Sequence, residues 1–151
     1  MTRPLPVARR HCHGVDPAAA DDRCALTYEE RFLRRKVLTT EGGLGFLVDF
    51  AHATSLAEGD AFVLEDGRLI GVRAVPEPLL EITGGDFTRL AWHIGNRHTP
   101  CQIEPGRLLI QRDHVLRDML EKLGASLREV TEPFAPEGGA YGYGRTHGHA
   151  H

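Results

Sequence analysis

The chain has 151 residues, 41% of them hydrophobic and 26% charged, with a net charge of −3 when histidine is neutral. That is enough for one ordinary domain or two small ones, fits a soluble globule, and carries no basic footprint for nucleic acid. No apolar run approaches the ~18 residues of a membrane span; Met1-Thr2-Arg3-Pro4-Leu5-Pro6 lacks the apolar core of a signal peptide; and three cysteines without framework spacing predict reduced thiols in a cytoplasmic protein.

Residues 1 to about 23 are rich in Pro, Ala and Asp and read as a loosely ordered lead-in. Within them, His11-Cys12-His13 has local chelating chemistry, but nothing in the sequence fixes its geometry. From 24 to 75 the pattern is all strand, with β-rich runs at 24–27, 32–38, 44–50, 61–65 and 69–75. Glu41-Gly42-Gly43, Gly59-Asp60 and Asp66-Gly67 punctuate them, and Asp66-Gly67 is a two-residue hairpin signal. This predicts a small all-β domain over 1–75 that binds protein rather than substrate, with His52 on a loop. Val75-Pro76-Glu77-Pro78 is a stiff connector, because two prolines in three residues resist both ladder and helix.

The second half alternates: a strand at 79–82, a helix from the N-cap Asp86 to Gly95, strands at 101–104 and 108–111 around Pro105-Gly106, a helix at 113–123, and a strand at 125–130. The β-α-β-β-α-β order is the ferredoxin-like arrangement, placed at 76–131 in an α+β protein. In the first helix Phe87, Leu90, Ala91 and Ile94 share one face, and Gly95-Asn96 reads as its stop. Trp92 falls about 100° off that stripe. In the second helix Asp113 is the N-cap and Gly124 follows the end. Cys101 alternates with Ile103 on one strand face and reads as a small buried hydrophobe. Residues 132–151 are too rich in Gly and Pro to pack, a flexible tail ending His147-Gly148-His149-Ala150-His151.

Histidine is the compositional signal. Neutral imidazole suits Ni, Zn and Cu. The tail carries three within five residues, and the interrupting Gly148 and Ala150 distinguish it from an unbroken purification tag. His98 lies past the first helix and just before Pro100, on extended or turning backbone. On its own it reads first as a loop histidine that caps or hydrogen-bonds locally. His93 stands on the solvent side of the first helix. His114 opens the second helix, whose positive end disfavours imidazolium and so keeps the ring in its metal-binding form.

The words Gly95-Asn96-Arg97-His98-x-Pro100-x-Gln102-Ile103 resemble the UreE family of urease accessory proteins. Thr27-Tyr28-Glu29-Glu30-Arg31, Gly59-Asp60, Asp66-Gly67 and the Pro-Glu-Gly-Gly-Ala-Tyr run at 136–141 extend the resemblance along nearly the whole chain. It implies a homodimeric nickel metallochaperone in which His98 binds Ni²⁺ at the two-fold axis. His147, His149 and His151 supply further ligands; His93 and His114 are secondary candidates. Zn²⁺ or Cu²⁺ can occupy the same imidazoles. The implied partners are a second copy, the accessory GTPase UreG and the urease apoprotein complex, and the N-terminal half is expected to be similar to the peptide-binding part of some co-chaperones. Where the family often has a histidine two positions before His114, this chain has Arg112, and a guanidinium is no ligand.

Competing readings are a protein-binding co-chaperone-like module and a general Zn, Cu or Ni storage protein. An enzyme is not expected: no His-Glu-x-x-His occurs for a metal-dependent hydrolase. The loop Thr83-Gly84-Gly85-Asp86 has none of the thiols of a copper-chaperone ferredoxin fold.

Overall fold

Residues 4–138 are described by a computed structural model, in which the chain divides between Val75 and Pro76 into two compact units. The first unit is all β. Its strands are β1 (Val7–Cys12), β2 (Asp22–Leu26), β3 (Phe32–Thr39), β4 (Gly45–Ser55), β5 (Ala61–Leu64) and β6 (Leu69–Ala74), with a 3₁₀ turn at Pro17–Ala19. They form one sheet in the order β2-β6-β5-β1-β4-β3. The pairs β1–β4 and β2–β6 are parallel and the others antiparallel. Phe46, Val48, Phe62, Leu64, Ile70 and Val72 fill the core. The Asp66-Gly67 hairpin joins β5 to β6 with Gly67 at φ 90, a conformation open to glycine without Cβ strain.

Two expectations are corrected in this unit. The expected loose lead-in contains β1, which is paired on both edges and buries Ala8 completely. A register shift between Ala8 and Arg10 breaks the two-residue alternation, so the strand cannot be read from periodicity. His52 lies within β4 rather than on a loop. That strand outruns its apolar stretch, and its exposed second half still pairs with β3 through Thr54 and Ser55.

The second unit contains β7 (Glu77–Thr83), α1 (Phe87–Asn96), β8 (Gln102–Glu104), β9 (Arg107–Gln111), α2 (His114–Lys122) and β10 (Ser126–Glu132). Its antiparallel sheet has the order β10-β7-β9-β8, the ferredoxin-like β-α-β-β-α-β topology. Leu90 and Ile94 of α1 and Leu116 and Leu120 of α2 pack with Leu80, Ile82, Leu108 and Ile110 from one sheet face. One of the two connector prolines does enter a ladder: Pro78 registers with Thr131 of β10, while Pro76 precedes the strand. On the other edge of β7, pairing with β9 begins only at Leu79, so the missing N–H of Pro78 breaks no bond there.

Residues beyond β10 are also more ordered than their composition suggests. Phe134 is fully buried; Ala135 N donates to Gln102 Oε1 at 2.9 Å and Glu137 N to Cys101 O at 2.9 Å. One aromatic side chain and two hydrogen bonds thus fasten residues 134–137 along the β8 edge. No helix among the described residues is long and apolar enough to cross a membrane.

Candidate metal-binding site

Asp86 caps α1, its Oδ1 accepting from Thr88 N at 3.0 Å and Arg89 N at 3.3 Å. Leu90 and Ile94 are the helix's buried residues, as the stripe requires. The opposite end differs from its expected form. Gly95 and Asn96 are helical, Arg97 is the C-cap, and the left-handed residue is His98, at φ 57. His98 N donates to Gly95 O at 2.9 Å and Thr99 N to Ile94 O at 3.3 Å, the two bonds of a Schellman motif.

The second helix supplies an internal comparison. Gly124 N donates to Glu121 O at 3.0 Å and Ala125 N to Leu120 O at 3.1 Å, with Gly124 at φ 88. Both helices therefore end alike, but His98 occupies the position that Gly124 fills in α2. A left-handed conformation costs an L-residue about 1–2 kcal/mol, and such strain concentrates at functional positions. Among the described residues His98 is the one non-glycine with positive φ, and it is exposed.

Trp92 is 62% exposed, in keeping with its offset from the apolar stripe. Its ring meets His93 edge to face, at 5.0 Å and 89°. That contact leaves His93 half-buried rather than open to solvent. His93 and His114, remote in sequence, line one open groove of about 450 Å³ between α1 and α2 with Val115, Asp118, Met119, Lys122 and Leu123. His98 does not line this groove. Asp118 is not among the residues the sequence singles out; its position four residues after His114, which puts both on one helix face, is the signal that points to it. Among the described residues no three His, Cys, Asp or Glu side chains converge as a metal-holding group.

Arg112, two positions before His114, is a brace. Its Nε donates to Leu79 O at 3.1 Å and its guanidinium to Val130 O at 3.0 Å, tying β7 to β10. Asp113 caps α2 through Val115 N and Leu116 N, and His114 is the exposed first residue of that helix. Cys101 is half-buried against the second core, and burial, then the Glu137 charge, pushes its thiol up to about 11. Such a thiol is a poor thiolate donor to a metal. Arg107 is clasped by Glu81, Glu104 and Glu132 at 2.7–3.0 Å. Its hydrogen bonds are the leading cause that holds the Glu81 and Glu132 carboxyls below their ordinary range. His147, His149 and His151 lie outside the described residues.

Comparison with known proteins agrees over both units. Residues 7–75 match the model for the N-terminal domain of the UreE urease accessory protein, and residues 77–151 that for its C-terminal domain. The chain is 72% identical over 132 residues to a urease accessory protein UreE of Ruegeria pomeroyi, covering 87% of this chain and 89% of that one. It is 61% identical over 148 residues to the same-named protein of Ruegeria sp. strain TM1040, covering 97% and 84%. The match to that of Rhodobacter capsulatus is 62% over 134 residues, covering 89% and 85%.

Proposed function

The chain belongs to the UreE family of urease accessory proteins, and from that premise we propose that it is a nickel metallochaperone, a carrier and not a catalyst. In this reading it works in the cytoplasm as a homodimer. The His98 rings of two copies meet at the two-fold axis and hold one Ni²⁺ between them. His147, His149 and His151 add ligands from the tail, and His93 and His114 offer a weaker peripheral stop. The ion is its cargo, handed with the GTPase UreG to the urease apoprotein.

The observation that carries the reading is the left-handed, exposed His98 at the end of α1. Backbone strain of about 1–2 kcal/mol at a helix end that glycine would satisfy better is explained by a need for that imidazole at that point. One imidazole per chain is too little for a stable site, and a two-fold axis doubles every group beside it. Exposed Trp92, Val115 and Leu123 supply apolar surface in the same unit for a second copy to cover.

The deciding experiment is a Ni²⁺ titration followed by heat and by mass. The intact protein is expected to show a tight component saturating near one ion per two chains, with weaker binding added by the tail. His98→Ala removes the tight component and leaves the dimer and the weak binding; deletion of residues 145–151 removes the weak binding. Affinity falls as pH drops from 7 to 5, because each imidazole must be neutral to ligate. A His98→Ala protein that titrates like the parent refutes the assignment.

A further inference from the structure

The first unit holds a pair of histidines for which the nickel reading has no use. His11 lies on β1 and His13 directly after it. Residues two apart on extended chain point to the same side, and here the rings lie edge to face with centroids 5.5 Å apart. Cys12, between them, alternates to the other side, so the sequence's apparent His-Cys-His chelate resolves into a two-imidazole pair.

The surroundings prepare each ring differently. His13 Nδ1 is 2.5 Å from Asp60 Oδ1. The other oxygen of Asp60 accepts from Ala57 N at 2.8 Å, so this buried carboxylate is itself held in place. A carboxylate only accepts, so the His13 proton sits on Nδ1 and the lone pair is on Nε2. This is the carboxylate–histidine arrangement that orients metal ligands from outside the coordination shell. His11 Nδ1 is buried and has no hydrogen-bond partner, alone in this among side-chain N and O atoms of the described residues. Neither a proton nor a lone pair on it is satisfied within the protein, and a bound ion would satisfy it as an unprotonated nitrogen. The ring of His11 also meets Phe50 edge to face, at 5.4 Å.

Two imidazoles sharing one ion, each nitrogen about 2.0–2.1 Å from it at a near-tetrahedral angle, have centroids roughly 5–6 Å apart. The observed separation matches that spacing, and the His13 side chain, 73% exposed, has room to rotate onto an ion. We propose that His11 and His13 form a second metal site, in which one divalent late-transition ion is held by His11 Nδ1 and His13 Nε2, with Asp60 as the outer carboxylate and water completing the shell. Imidazole pairs of this kind take Cu²⁺, Ni²⁺ and Zn²⁺, with Cu²⁺ tightest. The pair belongs to the first unit and His98 to the second, and the proposal does not depend on the role of His98.

The test uses the full chain, labelled with ¹⁵N-histidine and titrated with Zn²⁺, a diamagnetic probe. The His11 Nδ1 and His13 Nε2 resonances are expected to shift together, and to do so equally in a His98→Ala chain. Equilibrium dialysis should find about one Zn²⁺ fewer per chain for His13→Ala than for the parent, and no change for Cys12→Ala. Because His13 is exposed, its replacement leaves the core intact; amide spectra of the metal-free variant confirm this. Asp60→Asn should weaken this ion roughly 10–100-fold, the usual effect of removing an outer partner. Ring nitrogens of His11 and His13 that do not move on adding Zn²⁺, or a His13→Ala chain that binds as many ions as the parent, overturn the proposal.

Discussion

Replacing His98 by alanine and, separately, by glycine isolates the backbone strain from the chemistry of the ring. Both variants lose the imidazole and whatever it touches, so the difference between them reports on φ alone. At φ 57 alanine bears the left-handed cost of about 1–2 kcal/mol, which glycine escapes. Glycine in turn adds roughly 0.4–1 kcal/mol of unfolded-chain entropy. The balance leaves His98→Gly more stable than His98→Ala by about 1 kcal/mol. For a chain of this length that is a difference of roughly 2–4 °C in melting temperature. Metal-free thermal melts of the two variants, side by side, are the assay. Gly124→Ala is the control: the same end in α2, with φ 88, should lose a similar amount relative to its parent. Equal melting of the alanine and glycine variants would show that residue 98 does not rest in the left-handed region, and would remove the strain argument for its function.

If the proposed dimer packs over Trp92, Trp92→Glu should shift it toward monomer by at least about 2 kcal/mol, the scale of an interface hot spot. Sedimentation would read the shift, with an unchanged circular dichroism spectrum showing that the fold survives. Phe134→Ala should cost the second unit about 3–5 kcal/mol, as for other fully buried aromatics, measured by urea unfolding. Arg107→Met should cost about 2 kcal/mol at pH 7, below the ~3–5 of a fully buried pair, since the Arg107 side chain is 24% exposed. It should also flatten the acid limb. Glu81 and Glu132 are depressed below 4.5 in the folded protein, so they stabilise it above that value and lose the contribution as pH falls through their lowered ones. Urea melts between pH 7 and 3 compare the two slopes. Burial is the main cause that raises the Cys24 and Cys101 thiols to about 11, so at pH 8 only ~10⁻³ of each is thiolate. Alkylation of both, followed by mass mapping, should speed up at least tenfold once urea unfolds the chain.

Local signals carried much of this protein. Apolar spacing placed α1 and α2, Asp86 and Asp113 marked their starts, Asp66-Gly67 marked a hairpin, and the strand–helix alternation after Pro76 specified the ferredoxin-like order. These features depend on residues within a few positions of one another, so composition and period suffice. What depended on distant partners was not legible. The Arg9-Arg10-His11 stretch gives no sign of a strand, because β1 is made by β4 and β5 gripping both its edges across a register shift. The Pro-rich segment after Glu132 reads as loose until Phe134 finds a buried place and Gln102 a backbone amide to accept from. Arg112 is a brace only because β7 and β10 lie side by side. At the candidate site it was the family resemblance that singled out His98, with Gly95-Asn96 expected as the helix stop. Only the folded chain, by closing two hydrogen bonds beyond Asn96, moved the left-handed turn onto the histidine itself. His93 and His114 came into one groove for the same reason: two helices packed on one sheet face bring together residues 21 positions apart, which no local pattern records.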